Sequence, residues 1–177
     1  MNSSALDLLR RAIRDVPDFP QPGIVFKDIT PVLGDAKLLS EAIDGMAEVV
    51  AGKHVDKVVG IDARGFIFGS MLAQKLGIGF VPARKKGKLP WKTRGLDYAL
   101  EYGTASLEIH EDAITPGEQV LLADDLLATG GTAGAALELM KQSGASIIGS
   151  VFFIELGFLN GREKVASYGP VHSLLTY

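Results

Sequence analysis

Read from the amino end, the spacing of apolar residues changes period several times, and each change predicts an element. Leu6, Leu9 and Ile13 fall on one face of a helix that Ser4 can cap and that ends before Pro17. Asp18 to Pro31 carries Pro20, Pro22, Gly23 and Pro31 around the apolar triplet Ile24, Val25, Phe26, which predicts an irregular folded loop. Leu39, Ile43, Met46 and Val50 return to helical spacing over Asp35 to Ala51, and Gly52 closes that helix. Beyond it, short apolar runs predict strands at Lys57 to Ile61, Gly79 to Ala83, Gln119 to Ala123 and Ala145 to Ile154. Helices are predicted between them, over Phe66 to Leu76 and Thr132 to Ser143. Residues 84 to 94 predict a basic loop. Leu96, Tyr98, Leu100 and Tyr102, then Ala105, Leu107 and Ile109, alternate by twos about Gly103 and predict a long hairpin arm. Asn160 to Ala166 predicts a short turn or helix, and Val171 to Thr176 an edge strand.

Strands and helices alternating in this order predict an α/β fold built on an open, mostly parallel twisted sheet with helices on both faces. No repeat, low-complexity stretch or linker interrupts the pattern, so residues 1–177 are expected to form one domain. The absence of cysteine excludes a disulfide framework, a thiolate metal site and a cysteine nucleophile. The first residues mix Asp7, Arg10, Arg11 and Arg14 into a short apolar pattern, unlike a secretory signal or a spanning helix, and a cytoplasmic protein with no membrane partner is expected.

Charge changes the picture more than composition does. The chain carries 18 Lys and Arg against 21 Asp and Glu, a net charge of −3, which argues against an extended nucleic-acid surface. Yet Arg84, Lys85, Lys86, Lys88, Lys92 and Arg94 crowd into one loop that holds no acid. Without those six the rest of the chain stands at −9, so a local basic patch sits on an acidic body. His54, His110 and His172 show no metal-ligand spacing and are read as surface residues. The 21 glycines exceed the usual share of ~7% and need a cause.

The chemistry concentrates in Val120-Leu121-Leu122-Ala123-Asp124-Asp125-Leu126-Leu127-Ala128-Thr129-Gly130-Gly131-Thr132-Ala133. A buried strand ends in two acids, a small-residue turn follows, and a helix then begins at a hydroxyl residue. Backbone amides and a helix N-terminus converge there on a phosphate, which Gly130 and Gly131 let approach closely. Thr129 and Thr132 add hydroxyl donors, and Asp124 and Asp125 suit the adjacent hydroxyls of a ribose. A Walker A loop is excluded because no Gly-Lys-Ser/Thr follows the turn. Val58 to Gly65 repeats the strand, turn and helix arrangement, its turn carrying Asp62, Ala63 and Arg64. Gly60, Gly65, Gly130 and Gly131 are accordingly assigned to turns that approach phosphates.

The acid pair and its Ala-Thr-Gly-Gly-Thr loop resemble the 5-phosphoribosyl 1-diphosphate (PRPP) signature of the type I phosphoribosyltransferase family. The resemblance extends to Phe19 to Pro31, Ala63 to Gly69, Arg84 to Pro90 and Leu100 to Gly103, over nearly the whole chain and in the family's order. It implies residues 1–34 as an N-terminal helix and purine-binding hood, and residues 84–110 as a basic loop and flexible hairpin lid. It implies transfer of a 5-phosphoribosyl group from PRPP to adenine, giving AMP and diphosphate. A 6-oxopurine acceptor, or a non-catalytic PRPP-sensing regulator with an added DNA-binding domain, are the alternatives.

Residue by residue, the resemblance assigns Asp124 and Asp125 to the ribose, and Ala128, Thr129, Gly130, Gly131 and Thr132 to the 5'-phosphate. Asp62, Ala63, Arg64 and Gly65, in a turn that in this family often holds a non-proline cis peptide, go to the diphosphate with Arg84, Lys85 and Lys88. Val25, Phe26, Lys27, Arg64 and Leu126 surround the base. Glu101 and Tyr102 lie on the lid, with Glu101, Arg64, Asp124 and Asp125 as the catalytic set. Mg²⁺ arrives with PRPP rather than through direct protein ligands, and part of the basic loop serves the partner's site in a homodimer.

Overall fold

The apolar runs form strands covered on both sides. The computed structural model describes residues 3–99 and 104–177. In chain order its elements are α1 (Ser3–Ala12), β1 (Arg14–Pro17), β2 (Val25–Asp28), α2 (Thr30–Leu33), α3 (Ala36–Glu48), β3 (Lys57–Ile61), α4 (Gly65–Leu76) and β4 (Gly79–Lys85). There follow β5 (Thr93–Ala99), β6 (Thr104–His110), β7 (Gln119–Leu127), α5 (Gly131–Gln142), β8 (Ser146–Glu155), a 3₁₀ turn (Gly157–Leu159), α6 (Gly161–Ala166) and β9 (Val171–Thr176).

Seven strands form one sheet in the order β5-β6-β4-β3-β7-β8-β9. The five from β4 to β9 run parallel, and the β5-β6 hairpin adds antiparallel strands at one edge. Successive strand residues enter opposite cores. Val58, Leu121 and Phe153 pack with Leu9, Met46, Phe68 and Leu72 on the face covered by α1 to α4. Val59, Leu122 and Phe152 pack with Leu137, Met140 and Val165 on the face of α5 and α6. Burial on both faces explains why these strands read as continuous apolar runs rather than alternating ones.

Several boundaries depart from the sequence expectations for tertiary reasons. Ser4 lies inside the first turn of α1 rather than capping it, and the helix gives way to β1, which pairs antiparallel with β2. The Pro-rich stretch expected to be irregular therefore holds a strand, with Pro20 and Pro22 in the connection before it and Pro31 in the first turn of α2. β4 takes the first two residues of the expected basic loop, and β7 continues past Ala123 to Leu127, keeping both acids in the ladder beside β8. α3 ends at Glu48, and Gly52, at φ +77°, lies beyond it. Gly60 is not in a phosphate turn. It lies within β3, where an added Cβ would meet the Phe80 ring at 2.7 Å and the Gly65 carbonyl oxygen at 2.8 Å. Its role is close packing of α4 on the sheet.

His54 is exposed beside Asp56, as a surface residue should be. His110 and His172 are corrections, because the Nε2 atom of each is buried. Among the described residues no helix is long and apolar enough to cross a membrane.

Candidate active site

Strand order brings three carboxyl ends to one edge. β4, β3 and β7 are neighbours, with Ile61 opposite Ala83 and Gly60 opposite Ala123. Arg84, the Asp62 to Gly65 turn and the acid pair with its loop thus emerge side by side, where open parallel sheets take their ligands. A cleft of about 450 Å³ opens there between Ile61 to Arg64 and Asp124 to Ala133.

Each wall of the cleft leads into a helix whose first amides have no side-chain cap. α4 follows from Arg64, and α5 from Gly130 at φ +76°. The expected hydroxyl start at Thr132 is displaced by one residue, since α5 already begins at Gly131. The first-turn N–H groups and the helix dipole favour an anion at each helix start, although in α4 the Phe66 and Ile67 amides already donate to the Ala63 and Arg64 carbonyls at 3.2 and 3.1 Å. The Asp62–Ala63 peptide is cis.

Between these helix starts lies the acid pair. Asp125 is 5% exposed, and its Oδ2 sits 2.6 Å from Arg64 Nε. Asp124 Oδ1 accepts from the Asp125 amide at 2.9 Å and is tucked so tightly against Gly65 that a Cβ there would stand 2.4 Å away. Burial, reinforced by the charge of Asp125, holds the Asp124 carboxyl well above the ordinary carboxylate range. Burial also raises Asp125, against the pull of the Arg64 guanidinium. Two enclosed acids with few donors of their own suit a ligand that brings hydroxyl donors.

Arg64 links this pair to the N-terminal strand β2. Its guanidinium carbon lies 5.5 Å from the centroid of Phe26, whose ring meets Phe19 edge to face at 5.3 Å. Phe26, Arg64 and Asp125, far apart in sequence, therefore form one contiguous chain, and Leu126 lines the cleft beside them. Val25 is half exposed. The Lys27 side chain turns elsewhere, with Nζ 2.6 Å from Asp15 Oδ1 and 4.1 Å over the Tyr177 ring.

The basic loop is only partly delivered to the cleft. Arg84 stands one row behind it, donating from Nε to Asp62 Oδ2 at 3.1 Å and from a terminal nitrogen to the Lys88 carbonyl at 2.8 Å. Lys85 and Lys88 are exposed and do not line it. Glu101 and Tyr102 lie outside the described residues.

Two contacts escaped the sequence reading. Tyr98, on the hairpin arm, donates its hydroxyl to Thr132 Oγ1 at 3.3 Å. Gly161, read only as part of a turn, abuts the Ala128 to Gly130 backbone. A signal for the second existed in Glu155, a carboxylate that closes the apolar strand β8.

Residues 33–173 match the phosphoribosyl transferase domain family. The chain belongs to the phosphoribosyltransferases. This phosphoribosyltransferase is similar to the adenine phosphoribosyltransferase of Anaeromyxobacter dehalogenans, 56% identical over 172 residues that cover 97% of the chain and 99% of that relative. It is likewise similar to that of Maricaulis maris, 52% identical over 170 residues covering 96% and 97%. Among solved structures, adenine phosphoribosyltransferase from Rhodothermus marinus superposes with a TM-score of 0.94 at 53% identity, covering 99% of this chain and 100% of that one. The enzyme from Saccharomyces cerevisiae, complexed with an imino-altritol bisphosphate and adenine, gives 0.92 at 40% identity, covering 98% and 99%. The domain match begins after strands β1 and β2, whereas these relatives span nearly the whole chain.

Proposed function

We propose that this phosphoribosyltransferase joins adenine to PRPP, giving AMP and diphosphate with inversion at the anomeric carbon. The observation that carries it is the acid pair of β7 set between two uncapped helix N-termini on one cleft. One N-terminus takes the 5'-phosphate at Ala128 to Thr132, the other the diphosphate at Asp62 to Gly65, and Asp124 and Asp125 accept from the ribose hydroxyls. Relatives named adenine phosphoribosyltransferase at 50% identity and above support the choice of base.

The reaction breaks the bond from the anomeric carbon to the diphosphate and forms one to a purine nitrogen, which gives up its proton to the leaving diphosphate or solvent, through a transition state that is cation-like at the sugar. Positioning of both reactants and stabilisation of the departing charge then supply most of the rate. Phe26 stacks on the base under the hood with Leu126 opposite, while Arg64 steers both base and ribose through its contacts to Phe26 and Asp125. Glu101 and Tyr102 close over the reaction centre as lid residues that exclude water.

The donor set fits a magnesium ion carried by its substrate. Asp124 and Asp125 line the cleft, and on this reading they serve the ribose hydroxyls rather than the metal. Mg²⁺ bound with PRPP would be held mainly by diphosphate and ribose oxygens and would offset charge on the leaving group.

The test is purified protein with PRPP, Mg²⁺ and a panel of adenine, hypoxanthine, guanine and xanthine. AMP from adenine, with little product from the others, is expected. No product from adenine would overturn the proposal, and preferential IMP, GMP or XMP would move the chain to the 6-oxopurine branch. The reading includes a cytoplasmic location and a homodimer, in which Lys85 and Lys88, exposed and off their own cleft, serve the partner's site. Sedimentation equilibrium should give twice the 18.8 kDa chain mass. A monomer would contradict it.

A further inference from the structure

Behind the phosphate loop lies a contact between two glycine backbones. A Cβ on Gly161 would stand 2.0 Å from the Ala128 carbonyl oxygen and 2.8 Å from the Gly130 amide nitrogen. A Cβ on Gly130 would in turn stand 2.5 Å from the Gly161 carbonyl oxygen. The first residue of α6 is therefore the wall against which the loop takes its shape, and any displacement of that wall moves the loop's amides.

What fixes the wall is the next residue. Arg162 donates from Nε to Glu155 Oε1 at 2.9 Å and from a terminal nitrogen to Glu155 Oε2, forming a two-point fork on a carboxylate only 6% exposed. The same guanidinium reaches the Val171 carbonyl at 2.5 Å, and Ser173 donates to Glu155 Oε2 at 2.7 Å. Glu155 ends β8 directly opposite Leu127, the last residue of β7 before the loop, and the Leu156 amide donates to the Leu127 carbonyl at 2.9 Å. The fork thus ties α6 to the two outer parallel strands at the level where the loop departs. A buried carboxylate that accepts at both oxygens from a planar guanidinium has little freedom to rotate.

We infer that Glu155, Arg162 and Gly161 are positioning residues that hold the Ala128 to Thr132 loop in the geometry that receives the 5'-phosphate of PRPP. None touches the substrate. The inference rests on the reading that this loop is the 5'-phosphate cradle. Lysine cannot reproduce the fork, and glutamine keeps the shape of Glu155 while removing its charge.

Steady-state kinetics on the full chain with Mg²⁺ separate the possibilities, using Arg162→Lys, Glu155→Gln, Gly161→Ala and, as a direct loop variant, Thr132→Ala. For Arg162→Lys and Glu155→Gln the KM for PRPP should rise about 10-fold or more, with the KM for adenine and kcat nearly unchanged, as misplacement of a positioning group predicts. Gly161→Ala should cost about 100-fold in kcat/KM for PRPP. If it does not fold, the two milder variants still decide. A loss confined to kcat through a smaller folded fraction, with the KM for PRPP unchanged, would show α6 to be merely structural and overturn the inference. If Thr132→Ala raises the KM for PRPP while the clasp variants do not, the inference fails and the cradle stands. An unchanged KM in Thr132→Ala would remove the cradle reading and the inference with it.

Discussion

Exchange of Asp125 for Asn is expected to lower kcat/KM for PRPP by about 10- to 100-fold, the cost of one charge-assisted hydrogen bond to a ribose hydroxyl. It also deprives Arg64 of the carboxylate 2.6 Å away, so the KM for adenine should rise as the contact to Phe26 loosens. Full activity in this variant would contradict the role given to the pair. Asp124→Asn should cost activity similarly, and its effect on stability has a sign that the structure sets. The folded-state pKa of Asp124 lies above its ordinary value of 3.8, raised by burial and then by the charge of Asp125. Between those two values the folded chain binds more protons than the unfolded one, so stability falls as pH rises through the window and the deficit persists above it. An asparagine behaves as a permanently protonated carboxyl. Asp124→Asn should melt higher than the parent at pH 7 to 8, with the gain disappearing as the pH approaches 3.8. Thermal melts across pH check this, and a variant less stable at neutral pH would refute it. A higher melt in Asp124→Asn together with lost activity would show a carboxylate kept for binding at a cost in stability.

Gly65→Ala is the second large effect. Its Cβ would lie 2.4 Å from Asp124 Oδ1 and 3.3 Å from the Ala123 carbonyl oxygen, and that Oδ1 is already held by the Asp125 amide. The carboxylate has to move, taking the ribose site with it. A displacement of about 1 Å should cost ~100-fold in kcat/KM for PRPP, with overpacking removing about 1–3 kcal/mol of stability. Gly69→Ala supplies the control. Its Cβ would press on the Phe80 ring at 2.9 Å and on Gly60 Cα at 3.2 Å, one helical turn behind the cleft. It should lose comparable stability by denaturant titration while its KM values stay those of the parent. Equal kinetic losses in the two variants would show that α4 packing in general, rather than the Asp124 contact, was disturbed.

The fold was legible because burial writes itself into local pattern. Val58-Val59, Leu121-Leu122 and Phe152-Phe153 each supply one residue to either core, as strands of a sheet covered on both faces do. The glycine turn after β7 was legible for a related reason, since Gly130 needs its left-handed backbone locally. Contacts made between elements left no such trace. Pairing of β1 with β2 depends on a partner across a proline-rich connection, and the approach of Gly161 to Ala128 depends on how α6 docks. Gly60 was assigned to a turn because glycine before an Asp-Ala-Arg-Gly turn reads as part of it, whereas its lack of a side chain serves Phe80. Lys85 and Lys88 sit in a charge-dense loop, and charge density alone carries no direction. The lid positions Glu101 and Tyr102 lie outside the described residues and stay with the proposal.

Arg64 stands between the acid pair and Phe26, with a 2.6 Å ion pair on one side and an aromatic face on the other. If Asp125 holds the sugar and Phe26 the base, as proposed, a guanidinium shared in this way makes occupancy of the two sites parts of one equilibrium. Whatever factor PRPP imposes on the affinity for adenine, adenine must impose on the affinity for PRPP. On that proposal, cooperativity between the two substrates is a property that one side chain can set, and it would be felt equally whichever substrate arrives first.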